Sequence, residues 1–170
     1  KSTCVDSGGH HTNSVYTFCK TRMSRRVFAI KGVGGKDRAM VGRPSKNNVG
    51  RVHLYPVGSD TIKNHVYGRL KIEEGPGQIH FPKHLDVEYF AQLTSEERVE
   101  RFTRGIRKTE WVQKRKRNEA WDCLCYGYAA FALLNVNLRI LHEKIHRAKP
   151  EEKKDKPIRP QRRGGSWMEI

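Results

Sequence analysis

The order of the first elements is set by residues 2–30, which read STCVDSGGHHTNSVYTFCKTRMSRRVFAI. Residues 2–6 predict a short strand that ends in a carboxylate, Asp6, and a Ser-Gly-Gly turn follows it. Residues 11–22 carry apolar side chains at helical spacing, and residues 27–30 form a second β-branched and aromatic run. This pattern predicts a β–α–β unit whose two strands are parallel, because such crossovers are right-handed.

The rest of the chain continues to alternate between strand and helix patterns, which indicates an α/β fold. Residues 52–57 predict a third strand, and residues 32–50, rich in Gly, Lys and Asn without an apolar period, predict a loop. The start of that loop fails the Walker phosphate-loop pattern, because Ile30 and Asp37 stand where it needs Gly and Ser or Thr. Helices are predicted at residues 61–70, 86–93 and 118–146, with a helix start at residues 94–97.

Composition favours a polyanionic partner. The chain has 170 residues and 34 Lys and Arg against 18 Asp and Glu, a formal net charge of +16. Nucleic acid is the leading partner and an anionic membrane surface the second, because neutralising phosphates releases counterions. No apolar run reaches the roughly 18 residues that a membrane-spanning helix needs. The four cysteines show no secreted-type framework, so we expect a soluble protein in a reducing, intracellular setting.

Two regions are predicted. Residues 1–148 carry the strand and helix patterns and form one α/β domain. Residues 149–170 are basic, contain proline and have almost no apolar side chains before Trp167, so we expect a C-terminal arm. The chain opens on Lys1 and enters a strand pattern at once, and we expect it to be a piece of a longer protein.

The strongest basic stretch is residues 98–117, with nine Lys and Arg against Glu100 and Glu110. Side chains of this kind contact DNA phosphates without reading sequence. A non-catalytic, basic DNA-binding module would explain the charge as well as an enzyme would. The predicted DNA-binding residues are Lys63, Arg104, Arg107, Lys108, Lys114, Arg115, Lys116 and Arg117.

Acidic residues at element ends are candidates for metal binding. Asp6 ends the first strand and Asp60 the third, whereas Glu119 and Asp122 open a helix and are three residues apart, hence on one face. A carboxylate at the edge of an apolar core needs a cation or a donor. The structural alternatives are a helix N-cap for Asp60 and, for Asp122, a salt bridge to Arg117 or Lys63.

Residues 142–146 match the helical zinc motif HExxH, in which two histidines bind zinc and the glutamate is the general base. The motif demands a third ligand. No histidine follows His146, and the later acids lie in or after the proline-containing arm. A zinc metalloprotease is therefore a remote alternative.

Six ordered segments together resemble one family, the nuclease domain of the large terminase subunit of lambda-like tailed phages. The resemblance runs from the first residues to about Leu134. The segments are VDSGGHHT at residues 5–12, VYTFC at 15–19, RVFAIKG at 26–32, VGSDTIK at 57–63, GQIHFP at 77–82 and RNEAWDC at 117–123.

The resemblance implies an RNase H-like fold and a metal-dependent endonuclease that cuts concatemeric double-stranded DNA during packaging into proheads. It implies Mg²⁺ or Mn²⁺, two ions, held by clustered carboxylates. Asp6 matches the acid of the central parallel strand and Asp122 the acid of the C-terminal helix, with Glu119 beside it. Asp60 and Lys63 match a Gly-x-Asp-x-x-Lys segment, so the expected catalytic residues are Asp6, Asp122, Asp60 and Lys63.

The same resemblance implies partners and one departure. Family members join this domain to an ATPase domain, act with a small terminase subunit and dock on the portal protein of the prohead. They work in the host cell cytoplasm, with no membrane. A further acid lies upstream in the family, in a Gly-Val-Asp-like segment that this sequence does not contain. We therefore expect a fold that is partial at its N-terminal side and an incomplete metal site.

Overall fold

The computed structural model describes residues 1–46 and 51–147, so the predicted arm at residues 149–170 lies outside the described residues. It shows a mixed α/β architecture, as predicted. Residues 1–136 form one compact unit, and residues 137–147 belong to a second. The strands are β1 (Thr3–Asp6), β2 (Val27–Val33), β3 (Ser45–Lys46), β4 (His53–Gly58), β5 (Glu96–Thr103) and β6 (Ile106–Gln113). The helices are α1 (Thr12–Lys20), α2 (Ser59–Leu70), α3 (Val87–Leu93), α4 (Glu119–Leu134) and α5 (Leu138–Arg147).

The main sheet has four strands in the order β1-β2-β4-β3. β1 pairs with β2 in parallel from Thr3↔Val27 to Asp6↔Ile30, which confirms the predicted β–α–β unit. β2 and β4 are also parallel, and the short β3 runs antiparallel to β4. The carboxyl ends of β1, β2 and β4 therefore lie at one edge of the sheet, which we call the carboxyl edge.

The two faces of the sheet bury different helices, because successive side chains of a strand point to opposite sides. Ala29 in β2 packs with Cys19 of α1, whereas its neighbour Ile30 belongs to the larger core. That larger core takes Val57 from β4, Ile62 and Val66 from α2, and Trp121, Cys125 and Ala129 from α4. Burial of these apolar side chains holds α2 and α4 on one face of the sheet.

The predicted helix start at residues 94–97 is wrong, because β5 and β6 form an antiparallel hairpin there. Arg104 and Gly105 join the strands with φ values of 53° and 76°. Two successive residues with positive φ make the tight turn whose twist matches the flanking strands, and Gly105 permits it. The β-branched and aromatic side chains on either side of that glycine were the overlooked signal.

The single helix predicted over residues 118–146 is interrupted. Asn135 adopts a left-handed conformation, with φ 45° and ψ 47°, and donates its N–H to the carbonyl of Ala132, which ends α4. The Asn137 side chain then accepts the backbone N–H groups of Arg139 and Ile140 at the start of α5. In the described part of the chain no single helix is long and apolar enough to cross a membrane, although α4 and α5 taken together reach that length and composition.

The predicted loop after β2 is held beside β4 by hydrogen bonds. The N–H of Gly42 donates to Pro56 O at 2.8 Å, and the N–H of Gly58 donates to Met40 O at 3.2 Å. The Thr61 hydroxyl donates to Arg38 O at 2.7 Å. A Cβ on Gly58 would lie only 2.5 Å from Ala39 O, so a glycine is needed where the loop crosses the end of β4.

We expect Gly58→Ala to lower the free energy of unfolding by about 1–3 kcal/mol, the usual cost of forcing an atom into a packed site. Urea denaturation measures it. The matched control is Gly68→Ala in the exposed part of α2, where an added Cβ meets nothing within 4 Å. That control should stabilise the protein by about 0.5–1 kcal/mol through helix propensity. Equal effects of the two substitutions would contradict the close approach at Gly58.

Candidate functional site

Asp6 lies where β1 ends, at the carboxyl edge of the sheet. Its Oδ1 accepts the N–H of Gly8 at 3.0 Å, so the turn after β1 holds the carboxylate in place. The Tyr126 hydroxyl of α4 forms a hydrogen bond with the same carboxylate. Burial, together with the negative charges of Asp6 and Asp122, raises the pKa of Tyr126, so the hydroxyl keeps its proton and donates a hydrogen bond to Asp6.

Asp122 faces the same region from α4 and is partly buried. Burial is the largest influence and raises the pKa of this carboxyl, and the nearby charges of Glu96 and Asp6 raise it further. The positive charge of Lys63 and a hydrogen bond from Asn118 Nδ2, 3.1 Å from Asp122 Oδ2, act in the opposite direction. The fold thus brings together the two acids that the sequence singled out at the ends of the domain.

Sequence reasoning missed a third carboxylate, Glu96, which is the first residue of β5. Its side chain is only 6% exposed, and its Oε2 lies 2.6 Å from the Lys63 ammonium nitrogen of α2. Asn118 Nδ2 lies 3.3 Å from Glu96 Oε1, so one amide group donates to both Glu96 and Asp122. The only sequence signal was Lys63 itself, since a lysine beside the buried Ile62 needs an acid, but nothing local identified which one.

We call Asp6, Glu96, Asp122, Lys63 and Asn118 the carboxylate cluster. Glu119 does not join it: its side chain is 63% exposed and lies 3.6 Å from Arg117 Nε. Three residues turn an α-helix by about 300°, which leaves the two side chains about 60° apart. The core lies on the Asp122 side of α4, so Asp122 is partly buried while Glu119 stays exposed, and the prediction that both acids face one metal site is not met. The salt bridge considered for Asp122 does not form either, because Lys63 pairs with Glu96, and Arg117 pairs with Glu88 and Glu119.

Asp60 also lies outside the carboxylate cluster, and the N-cap predicted for it is wrong. Gly58 is the N-cap of α2, and Asp60 is the second residue of the helix. Its Oδ2 accepts the backbone N–H of Gly35 at 2.9 Å. The carboxylate therefore fastens the loop after β2 to the first turn of α2.

The predicted DNA-binding residues fall into two groups. Arg104, Arg107 and Lys108 lie at the turn end of the hairpin, where Arg107 pairs with Glu100 and Lys108 Nζ lies 2.8 Å from Glu110. The second group follows β6 and comprises Lys114, Arg115, Lys116 and Arg117, of which Lys114 lies 3.1 Å from Glu97 and Arg117 3.3 Å from Glu88. Lys63 belongs to neither group, because Glu96 holds its ammonium.

The described residues offer carboxylate oxygens but no complete metal cage. Within residues 1–46 and 51–147, no group of three His, Cys, Asp or Glu side chains is placed to hold a metal ion. Mg²⁺ is usually bound through one or two protein carboxylates together with water and substrate phosphates. Asp6 and Asp122 are carboxylates of the type that such an ion binds, and they lie close enough for the charge of Asp6 to raise the pKa of Asp122.

The HExxH histidines lie on α5, with the ring centroids of His142 and His146 4.1 Å apart. No third ligand for zinc joins them in the part of the chain that the structure describes. The geometry gives the zinc metalloprotease no support.

We expect Asp122→Asn to stabilise the protein at neutral pH. Because the folded state raises the pKa of Asp122 above its ordinary 3.8, the protein loses stability as the pH rises through that raised pKa. The amide removes this penalty and still accepts the hydrogen bond from Asn118. Urea unfolding in chelator should show a gain at pH 7 that shrinks as the pH falls toward the unfolded pKa.

The control for that measurement is Glu119→Gln, which makes the same chemical change at an exposed position of the same helix. It should leave the pH dependence unchanged. A loss of stability in Asp122→Asn at pH 7 would show that attraction to Lys63 outweighs the burial of the carboxylate.

We expect Lys63→Met to destabilise the protein by about 3–5 kcal/mol, because it leaves the buried Glu96 carboxylate without a cation and with only the Asn118 hydrogen bond. The double variant Lys63→Met, Glu96→Gln should recover most of this loss, since no unpaired charge remains. A double-mutant cycle by urea denaturation measures the coupling. Additive losses would contradict a tight ion pair.

Comparison with known proteins agrees with the resemblance of the motifs. The family model described as the endonuclease domain of the terminase large subunit gpA matches residues 1–145. The large terminase subunit of Escherichia phage lambda is 36% identical over 138 residues, which cover 76% of this chain and 22% of the relative. That of Enterobacteria phage P21 is also 36% identical over 138 residues, covering 75% and 21%.

The chain thus spans about a fifth of the length of these curated relatives. No solved structure matches it significantly. The family match covers β1 to α4, the elements that carry the carboxylate cluster, together with most of α5. The chain belongs to the family of terminase large-subunit endonuclease domains of lambda-like phages.

Proposed function

We propose that this domain hydrolyses phosphodiester bonds of double-stranded DNA in a reaction that requires Mg²⁺ or Mn²⁺. The observation that carries the proposal is the meeting of Asp6, from a strand end, and Asp122, from a core helix, at the carboxyl edge of the sheet. Open α/β sheets place their ligands outside the carboxyl ends of their strands. The reaction class is inferred from family membership, and the residues are inferred from the carboxylate cluster.

Each residue of the carboxylate cluster has a physical role in this proposal. Asp6 and Asp122 hold the ion, and a divalent ion lowers the pKa of an attacking water and stabilises a leaving oxygen. Burial makes an unpaired Asp122 carboxylate costly, so a cation there is favourable. Tyr126 fixes Asp6, and Asn118 fixes Asp122. The Lys63 ammonium pairs with Glu96 and is a positioning residue.

The proposal includes an RNase H-like fold and a second metal ion. In an RNase H-like arrangement further strands would pair with the edge of β1 opposite β2; in the described residues β1 pairs with β2 alone. Two ions would need more carboxylates than Asp6 and Asp122 provide.

We place the reaction in the packaging of concatemeric phage DNA into proheads. The partners of this proposal are the ATPase domain of the same large subunit, the small terminase subunit and the portal protein. Its support is family membership, since the matched relatives are large terminase subunits. The net charge of +16 agrees with a DNA substrate. A non-catalytic DNA-binding module is the second candidate, favoured by the same charge.

The test is nicking of supercoiled plasmid in Mn²⁺ by the parent chain and by Asp122→Asn. We expect nicking in the length of chain that holds a complete metal site, and we expect the substitution to reduce that nicking by at least about 100-fold, the scale on which positioned catalytic groups act. The same pair is compared in a chain extended upstream within the large subunit. Glu97→Gln, an equivalent change at an exposed carboxylate, is the matched control and should cut normally.

The outcomes separate the two candidates. If either length of chain cuts DNA and Asp122→Asn abolishes that cutting, the result supports the nuclease and identifies Asp122 as a metal ligand. If both lengths bind DNA and neither cuts, the non-catalytic module is the better description. If Asp122→Asn cuts as fast as its parent, Asp122 does not belong to the catalytic site.

A further inference from the structure

A groove of about 1470 Å³ lies beside the carboxyl edge of the sheet, apart from the carboxylate cluster. Its walls are the loop at residues 35–39, the first turn of α2 and the hairpin of β5 and β6. The loop follows the carboxyl end of β2, and α2 follows that of β4. The groove therefore opens at the same edge of the sheet as Asp6.

The lining is strongly basic. Three carboxylates, Asp37, Asp60 and Glu110, face six cations, and one of them, Glu110, pairs with Lys108. Four of these six cations have no carboxylate oxygen of the described residues within 4 Å of their charged groups. The four are Lys36, Arg38, Arg98 and Arg104. Their charges are left for a ligand from outside the chain.

The size and lining of the groove select the class of ligand. Small-molecule pockets hold about 300–1,000 Å³ and carry few polar groups, whereas this groove is larger and is lined by nine charged side chains. Sites for single-stranded DNA add several aromatic side chains on which bases stack. The lining contains one aromatic residue, Trp111, which packs against Tyr67 and Trp121. A duplex backbone, which is bound through cations and polar groups without base stacking, fits best.

We propose that this groove binds the phosphate backbone of double-stranded DNA, with Lys36 and Arg38 opposite the basic side of the hairpin. The proposal rests on the proposed function, because it assigns the groove to the substrate of the carboxylate cluster. It adds residues from outside the basic stretch at 98–117. It also divides that stretch, since Lys114, Arg115, Lys116 and Arg117 do not line the groove.

The loop that carries Lys36 and Arg38 is held in place from α2. Asp60 accepts the N–H of Gly35, and Thr61 donates to the carbonyl of Arg38. Both contacts come from the first turn of the helix, so the backbone that carries the two cations is held opposite the hairpin. Asp60 is thus a positioning residue of the DNA groove.

The experiment compares two charge-matched double variants. Lys36→Ala, Arg38→Ala removes one lysine and one arginine from the groove, whereas Lys20→Ala, Arg25→Ala removes the same charges from exposed positions at the end of α1 and in the segment that follows it. Binding of a labelled duplex is measured by fluorescence anisotropy across a salt series, in chelator so that nothing is cut. Thermal unfolding confirms that both variants are folded.

We expect the groove variant to lower the slope of log affinity against log salt by about 2, because each phosphate contact contributes about 0.9. Its affinity at low salt should fall on the order of tenfold or more. The matched variant should change both quantities much less. A single strand of the same sequence should bind more weakly than the duplex.

Three results would overturn the proposal. Equal losses in the two variants would mean that DNA contacts the basic surface without a preferred groove. An unchanged slope in the groove variant would remove Lys36 and Arg38 from the interface. Tighter binding of the single strand would assign the groove to unpaired DNA. Plasmid nicking is read separately, so each result leaves the test of the nuclease standing.

Discussion

The ion pair between Lys63 and Glu96 fixes the arrangement on which the candidate site depends. It joins the middle of α2 to the start of β5, and Asn118 extends it to Asp122 at the start of α4. Burying two charges is costly unless their geometry is good and their remaining hydrogen bonds are satisfied. The three elements can therefore meet in few ways, and the chosen one brings Asp122 toward Asp6.

The surroundings of the carboxylate cluster are not arranged for stability. Among the side chains of the described residues, three buried polar atoms have no hydrogen-bond partner in the protein: Ser95 Oγ next to Glu96, and the indole nitrogens of Trp111 and Trp121. Trp121 directly precedes Asp122, whose ionised form is itself disfavoured by burial. Departures from full polar satisfaction of this kind concentrate at functional sites, where local stability is given up for reactivity.

The sequence predicted what is encoded locally. Asp6 could be placed at the carboxyl edge because a strand, a Gly-rich turn and a helix follow one another within residues 2–30. Glu96 could not be found, since its importance comes from Lys63, which only the folded chain brings near it. Asp60 had the local features of a cap, yet a long-range contact with Gly35 takes its carboxylate. The hairpin was missed because charged side chains obscured its two-residue turn.

The carboxylate cluster and the basic groove share one edge of the sheet, and this has an electrostatic consequence. Phosphates drawn to Lys36 and Arg38 are repelled by Asp6 and Asp122 unless a cation lies between them. Under the proposed function the ion and the DNA therefore favour each other's binding, and thermodynamic linkage makes the effect equal in both directions.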